Sequence, residues 1–366
     1  MKRLTLGDVC KKESSNIAQK NLQDKKGAYP IYGASGLIKQ VDFYQQDKEY
    51  IAVVKDGAGI GRTMLLPAYS SVIGTMQYLL PKEDIPIDIK YLFYAVEHMN
   101  LAKYFSGATI PHIYFRDYQK EPINIPDIET QRKISQIFGK IDALITSRKE
   151  QRTKLDQIVK SRFIELFGDP EINPYGWEQV TVEDVCTSIV RGPFGSALKK
   201  EFFVEPDQTT YKVYEQKHAI QKSAVIGTYY VSAEKYNELR RFECHPGDIL
   251  MSCSGTMGEL YQLPPDSEKG IINQALCKFT LNSRMLPIAF LAYMKETIGN
   301  LETKGSGIQN IAAVSYVKAM PINLPPMTVQ NQFAAFVEQT DKSKYRQEKC
   351  IGFFQCLEKS IRQEWL

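Results

Sequence analysis

An internal repeat is the sequence feature that most constrains how this chain folds. The segment LTLGDVC at residues 4–10 returns as VTVEDVC at residues 180–186, and PINIP at 122–126 returns as PINLP at 321–325. Gln131 and Gln330 follow the second pair of matches at equal spacing. Because a repeated sequence folds into a repeated structure, we predict two similar globular domains.

The second copy is longer than the first, but its interior follows the same pattern. The offset between matching segments grows from 176 to 199, so the second copy carries about 23 additional residues. In each copy a strand-like apolar run, at 50–54 or 248–253, precedes a glycine-rich turn, and a helix-like segment follows. Each copy is therefore predicted to be a mixed α/β domain.

Each copy is followed by a long stretch with helical spacing. Apolar residues recur at gaps of three and four over 130–167 and again over 329–365, and Arg148 and Arg152 make the middle of the first stripe basic. Packing the two stripes on each other would hide both of them. A helix over 130–167 would be about 57 Å long, the length of a spacer between two domains.

The predicted fold class is α+β. It consists of two mixed α/β domains separated by two long antiparallel helices in a coiled-coil-like pair, as a pseudo-two-fold internal repeat. The predicted boundaries are 1–121 for the first domain, 122–168 for the central helical region, 169–320 for the second domain and 321–366 for the C-terminal helical region.

Composition excludes several classes of protein. The seven cysteines are scattered without C-x-x-C spacing, and there are only four histidines, so neither a disulfide framework nor a metal site is predicted. No stretch reaches the roughly 18 apolar residues of a membrane span. Asp8 interrupts the N-terminus before a signal peptide could form, so we expect a cytoplasmic protein without a membrane. A net charge of +4 permits a nucleic-acid partner.

The standard catalytic motifs are absent from the sequence. It has no phosphate-binding loop, no H-E-x-x-H and no G-x-S-x-G. Pro206 and Asp207, followed by Glu215 and Lys217, resemble the P-D…E-x-K pattern of metal-dependent nucleases, but a solvated strand-edge cluster is the favoured interpretation. An autonomous nuclease and a helical scaffold without DNA binding are therefore kept as alternative functions.

Candidate DNA-contacting residues lie in loops that combine basic, hydroxyl and aromatic side chains with glycine. Such groups bond phosphates and base edges. The alternative is that these loops are solvated or structural turns. The candidates of the second copy are Arg191, Phe194, Ser196, Lys199 and Lys200, and those of the first copy are Tyr32, Ser35, Lys39, Lys55 and Arg62.

A further pair of loops is alike in frame but unlike in its polar residues. His112 in the first copy stands against Gln309 and Asn310 in the second, as two readers of different sequences would require; a loop that caps the next strand is the alternative. Residues 130–167 also hold nine Lys or Arg against four Asp or Glu. This basic helix would follow DNA phosphates, or form a solvated or partner-binding face.

The chain resembles the specificity subunit of type I restriction-modification systems over essentially its whole length. The residues that carry the resemblance are GPFGS at 192–196, GDIL at 247–250 with SGTMG at 254–258, and the paired PIN-I/L-P segments with Gln131 and Gln330. The resemblance implies two target-recognition domains without a catalytic site. Each would read one half of a bipartite double-stranded DNA target. The first domain lacks the GPFGS loop, so it would read its half-site differently.

The same resemblance implies partners and cofactors. Two DNA adenine methyltransferase subunits would dock mainly on the helices, and restriction/translocase subunits would join them. The chain itself would hold no cofactor. S-adenosylmethionine would belong to the methyltransferase, into which the target adenine is flipped, and ATP and Mg would belong to the restriction partner. The residues predicted to bind partners are Ile134, Phe138, Ile141, Ile145, Leu155, Val159, Phe333, Val337, Phe354 and Leu357.

Overall fold

The chain folds into two compact units. The computed structural model describes residues 2–107, 111–254, 256–303 and 314–366. The first unit comprises Met1–Gln151 together with Arg346–Leu366, and the second comprises Arg152–Tyr345. Each unit thus combines a globular part with one part of each long helix. The predicted boundaries divide the chain by type of structure instead, and they stay a prediction.

The globular part of the first unit contains short helices and strands and leads into the first long helix. Its strands are β1 Lys2–Thr5, β2 Cys10–Ser14, β3 Tyr29–Gly33, β4 Gly36–Val41, β5 Tyr50–Val54, β6 Thr63–Leu66, β7 Ser71–Val72, β8 Met76–Pro81 and β9 Pro122–Ile125. Its helices are α1 Leu6–Val9, α2 Ile89–His98, α3 Phe115–Tyr118 and the long α4 Ile128–Phe167, which continues into the second unit.

The second unit repeats this order with additional elements. Its strands are β10 Glu178–Thr181, β11 Cys186–Arg191, β12 Phe203–Val204, β13 Tyr211–Tyr214, β14 Tyr230–Val231, β15 Glu243–Cys244, β16 Ile249–Ser252, β17 Leu260–Gln262, β18 Gly270–Ile272, β19 Leu276–Leu281 and β20 Pro321–Leu324. Its helices are α5 Gln216–Ile220, α6 Ala233–Glu238, α7 Pro287–Thr303, α8 Val314–Lys318 and the long α9 Met327–Trp365, whose last part belongs to the first unit.

The sheets confirm the internal repeat. The four-stranded sheet has the order β2-β8-β5-β6 in the first unit and β11-β19-β16-β17 in the second. A two-stranded antiparallel pair, β1-β9 or β10-β20, joins the start of each copy to the entry of its long helix. The remaining sheet differs: β4-β3-β7 has three strands, whereas β12-β14-β13-β18-β15 has five. The additional residues of the second copy therefore enlarge this sheet.

Both copies begin with the same side-chain-to-backbone motif. The Thr5 backbone N–H and hydroxyl donate to Asp8 Oδ2 at 2.8 and 2.7 Å, and Thr181 donates to Asp184 Oδ2 at 2.7 Å through both groups. The aspartate backbone N–H donates back to the threonine Oγ1 at 3.3 Å in each copy. This reciprocal box stabilises the turn after the first strand. The hydrogen bonds from threonine lower the pKa of both carboxyl groups.

The long helices pack antiparallel within each unit. In the first unit the Arg362 guanidinium lies 5.2 Å from the Phe138 ring centroid, and Arg148 Nη1 donates to Gln347 Oε1 at 3.2 Å. In the second unit Phe167 packs on Phe333 at 5.3 Å. Within the first unit, residue numbers rise along α4 while the numbers of their partners on α9 fall. The predicted pairing of long helices is therefore confirmed inside each unit.

Two buried glutamines occupy equivalent positions in the first turn of the long helices. Gln131 Oε1 accepts from the Asp88 N–H at 2.8 Å, and its Nε2 donates to the Pro126 and Pro86 carbonyls at 2.9 and 3.2 Å. Gln330 makes the same three contacts, with the Leu286 N–H at 2.8 Å and with two carbonyls. Each side chain thus ties its helix to the segment that precedes α2 or α7.

The carbonyl partners of Gln330 belong to Arg284 and Pro325, at 2.9 and 3.0 Å. Gln131 and Gln330 are 0% and 1% exposed.

Among the described residues no helix is both long enough and apolar enough to cross a membrane.

We predict that Gln330→Ala lowers the free energy of unfolding by about 1–3 kcal/mol, because the partly buried Leu286 N–H loses its acceptor. Urea denaturation followed by circular dichroism measures the change. Gln332→Ala is the matched control, since Gln332 is exposed on the same helix, and it should change stability by less than about 0.5 kcal/mol. Equal effects of the two substitutions would contradict the role given to Gln330.

Candidate nucleic-acid interfaces and helix surfaces

The loop predicted to contact DNA in the second unit has one anchored residue and several exposed ones. Arg191 is 8% exposed, and its Nε donates to the Gln274 carbonyl at 3.3 Å. Its guanidinium lies 5.4 Å from the ring centroid of Phe194, which is 63% exposed. Ser196, Lys199 and Lys200 are exposed. Arg191 therefore supports the loop from inside, and the other four side chains are accessible to a ligand.

Gly192 allows this loop to pass close to the β18–β19 connection. Its N–H donates to the Leu276 carbonyl at 3.0 Å. A Cβ atom at this position would lie 1.9 Å from the Asn273 carbonyl oxygen, so no other residue fits without displacing backbone. The close approach of the backbone therefore explains why the first residue of the GPFGS segment is glycine.

Two predicted DNA-contacting residues of the β3–β4 hairpin, Tyr32 and Lys39, contact other parts of the same unit. Lys39 Nζ donates to the carbonyls of Leu22 and Gln23 at 2.7 and 3.2 Å, so the structure uses its charge internally. Tyr32 is half-buried against an apolar cluster. The prediction that these two residues contact DNA gains no support from their positions.

Arg62 lies in the β5–β6 turn and Ser35 in the β3–β4 turn, and both side chains are exposed. Arg62 Nη1 donates to the Ala34 carbonyl at 2.8 Å, which connects the β5–β6 turn to the β3–β4 turn next to Ser35. Both side chains remain accessible, and their contact with DNA stays a prediction.

Lys55, Asp56 and His112 form a cluster in the first unit. His112 Nδ1 lies 2.7 Å from Asp56 Oδ1, and Lys55 Nζ donates to the other carboxylate oxygen. Partial burial opposes ionisation of Asp56, but the hydrogen bonds from Lys55 and His112 outweigh it and lower the pKa of the carboxyl group. The structure thus brings two predicted residues together around a carboxylate that the sequence did not single out.

This cluster borders a surface cleft of about 570 Å³ whose lining includes Lys12, Tyr114 and Arg116. The Arg116 guanidinium lies 4.8 Å from the Tyr114 ring centroid, and the centroids of the stacked His112 and Tyr114 rings are 6.4 Å apart. Sequence reasoning missed these three residues. The only available signal was the Tyr-x-Arg that follows the His112 loop.

The positions of the second unit that correspond to this cluster and its cleft carry different residues. Cys253 and Cys277 lie there, buried at 0% and 1% exposure. The Cys277 thiol hydrogen-bonds Cys253, which lowers the pKa of Cys253 and raises that of Cys277. The other predicted contacts of this unit, Gln309 and Asn310, lie outside the described residues.

The nuclease-like residues do not form a metal site. Asp207 accepts from the Thr209 N–H at 2.6 Å in a tight exposed turn, and Glu215 pairs with Lys217 at 2.6 Å. Within the described ranges no group of three His, Cys, Asp or Glu side chains is placed to hold a metal ion. The P-D…E-x-K interpretation is therefore not supported.

The predicted partner-binding stripe is mostly internal, which corrects its assignment. The side chains packed inside this chain, with exposures of 8% or less, are Ile134, Phe138, Ile141, Ile145, Phe333 and Val337. A partner cannot reach them without opening the helix packing. Leu155, Val159 and Phe354 are half-buried, and Leu357 is 39% exposed.

Other apolar side chains of the long helices are accessible and were not predicted as partner contacts. In the first unit these are Ile137, Leu144 and Phe353, with exposures of 45%, 41% and 64%. The helical spacing identifies stripes, but it does not tell which stripe the chain buries itself and which it leaves open.

Two units with one backbone plan and different side chains around it define a tandem-repeat protein. A profile of the family described as type I restriction modification DNA specificity domain matches residues 1–157 and 174–350. The chain belongs to this family. Its function is DNA sequence specificity and not catalysis, so neither the nuclease nor the scaffold alternative is supported.

Individual relatives agree with this assignment. The chain is 20% identical over 331 residues to a putative type I restriction enzyme specificity subunit of Haemophilus influenzae, covering 86% of this chain and 80% of that protein. The crystal structure of the type I restriction-modification system S subunit from M. genitalium superposes with a TM-score of 0.60 at 13% identity, covering 100% of this chain and 96% of that one.

A second solved structure, from work on complex assembly and conformational transition of the type I R-M system, gives a TM-score of 0.62 at 14% identity. It covers 99% of this chain and 96% of that one. At these identities the two structures support the fold.

We predict that alanine at Gly192 destabilises the protein, whereas alanine at another glycine stabilises it. Gly192→Ala forces a Cβ against the Asn273 carbonyl and should cost about 1–3 kcal/mol. Gly352 lies within α9, and a Cβ there meets nothing within 4 Å, so Gly352→Ala should add roughly 0.5–1 kcal/mol of helix stability. Thermal unfolding of both variants measures the signs; a stabilising Gly192→Ala would refute the close-approach argument.

Proposed function

We propose that each unit reads one half of a bipartite DNA target. The observation that carries this proposal is the divergence of side chains on a shared backbone. The position of Lys55 in the first unit is that of Cys253 in the second, because each backbone N–H donates to the corresponding carbonyl, of Thr75 at 3.0 Å or Ala275 at 2.8 Å. The first unit thus has a partly exposed lysine where the second has a buried cysteine, so the two units do not offer DNA the same contacts, as two different half-sites require.

In the second unit the exposed part of the GPFGS loop and its two lysines would meet the half-site. Lys199 and Lys200 neutralise phosphates, which gives affinity without sequence choice. Phe194 and Ser196 supply apolar and hydroxyl contacts to base edges. Arg191 holds the loop through Gln274 and Phe194.

We also propose that two adenine methyltransferase subunits dock on the long helices. The accessible apolar side chains of the first unit offer a suitable surface, namely Ile137, Leu144, Phe353 and Leu357. Aromatic and aliphatic anchors of this kind dominate protein interfaces. In this arrangement the methyltransferase holds S-adenosylmethionine and the flipped adenine, while a restriction subunit supplies ATP and Mg chemistry. The whole complex would work on DNA in the cytoplasm.

Replacement of the exposed loop residues tests the half-site assignment. A variant with Phe194, Ser196 and Lys199 changed to alanine, produced with its methyltransferase, should relax or alter the bases accepted in one half-site and leave the other half unchanged. Sequencing of N6-methyladenine in the host genome reads both halves at once. Lys295→Ala, which removes an exposed lysine of the same unit, should leave both halves unchanged. An unaltered motif in the triple variant would refute the loop assignment.

A charge on the proposed docking surface tests the partner assignment. Phe353→Glu should reduce co-purification of the methyltransferase at least about tenfold, because a carboxylate replaces an exposed aromatic side chain that the docked partner would bury. Gln355→Glu adds the same charge to a neighbouring exposed position of α9 and should have little effect. Equal recovery of methyltransferase with wild type and Phe353→Glu would contradict docking at this surface.

A further inference from the structure

The cleft of the first unit is lined by residues from four separate parts of the chain. Lys12 and Ser14 come from β2, Lys55 and Asp56 follow β5, Gln77 lies in β8, and Arg116 lies in α3 with Tyr114 directly before it. Its volume of about 570 Å³ lies within the range of pockets that hold small ligand groups, and here it is large enough for part of a nucleotide.

The lining of this cleft is positively charged. Lys12, Lys55 and Arg116 contribute cations, and Asp56 is the one carboxylate among the residues that line it. The Asp56 charge is already shared with Lys55 and His112. Arg116 Nε also lies 3.5 Å from Asp117, but the Arg116 side chain is 75% exposed, and such surface pairs contribute little. The net potential therefore favours an anionic ligand such as phosphate.

An accessible aromatic ring orients one of these cations. Tyr114 is 46% exposed and has the Arg116 guanidinium 4.8 Å from its centroid. Stacking on a ring restricts the guanidinium plane while its edge N–H groups still donate. A guanidinium held in this way matches the paired O6 and N7 acceptors of guanine in the major groove.

At the corresponding strand positions the second unit carries different side chains. Ser14 pairs with Gln77 across β2 and β8, and Arg191 pairs with Cys277 across β11 and β19, so these two pairs correspond. Arg191 and Cys277 are buried there. The cleft lies in the first unit, which is the unit without a GPFGS loop.

We propose that this cleft is the DNA-contact site of the first unit, in which Lys12 binds a backbone phosphate and Arg116, stacked on Tyr114, reads a guanine edge. The inference rests on the proposed function of half-site reading and names the residues that perform it in this unit. Asp56 and His112 keep the wall of the cleft in place, and Lys55 adds to its positive potential.

The test uses the complex of the full chain with its methyltransferase and measures binding to DNA duplexes that carry the methylated motif or single base changes in it. Arg116→Ala should reduce discrimination at one base pair of one half-site by about 5- to 150-fold. Arg116→Lys should lose most of the same discrimination, because a lysine keeps the charge but not the paired donors. This second variant retains a cation and so separates base reading from loss of charge.

Lys12→Ala should behave differently from the arginine variants. It should weaken binding equally on every duplex and reduce the slope of log affinity against log salt by about one. Lys26→Ala is the matched control, since Lys26 is an exposed lysine of the same unit that does not line the cleft. It should change neither discrimination nor the salt slope.

The outcomes separate this inference from the proposed function. If the wild-type complex selects a bipartite motif while Arg116→Ala, Arg116→Lys and Lys12→Ala match it in discrimination and salt slope, the cleft assignment is overturned and half-site reading stands. If the wild-type complex shows no sequence selection, both are overturned. Loss of discrimination in the arginine variants, with the motif half of the second unit unchanged, supports the cleft.

Discussion

The orientation of each long helix depends on a glutamine side chain buried in the first turn of that helix. Gln131 and Gln330 are the fourth residues of α4 and α9, and each bonds one N–H and two carbonyls of its own unit. The first turn of a helix is where backbone geometry is least constrained by intrahelical bonds. A three-point side-chain contact at this place sets which face of the helix turns toward the core, and thereby which apolar stripe is buried.

Much of this organisation could be predicted from the sequence, since it depends on local spacing. The long helices, predicted over 130–167 and 329–365, begin at Ile128 and Met327 and end at Phe167 and Trp365. The paired Pro-Ile-Asn segments form β9 and β20, and the Thr-x-x-Asp pattern forms the turn that opens each copy. These features follow from a few neighbouring residues, so periodicity and composition are sufficient to indicate them.

The surfaces were harder to predict, because they depend on which distant residues meet. Lys12, Lys55 and Arg116 line one cleft although up to about a hundred residues separate them along the chain. Lys39 is a residue type expected at a DNA contact, yet its ammonium group donates to two backbone carbonyls of its own unit. The apolar stripe was identified correctly as a packing surface, but only the structure distinguishes buried Phe138 from exposed Phe353.

A map of N6-methyladenine shows most directly whether this chain supplies sequence choice in two halves. The genomes of cells that produce the cognate methyltransferase would be compared with this gene intact, deleted and restored. If the chain makes this choice, one bipartite methylated motif disappears on deletion and returns on restoration. A methylation pattern that is identical in all three cases, while the methyltransferase is present and active, would contradict it.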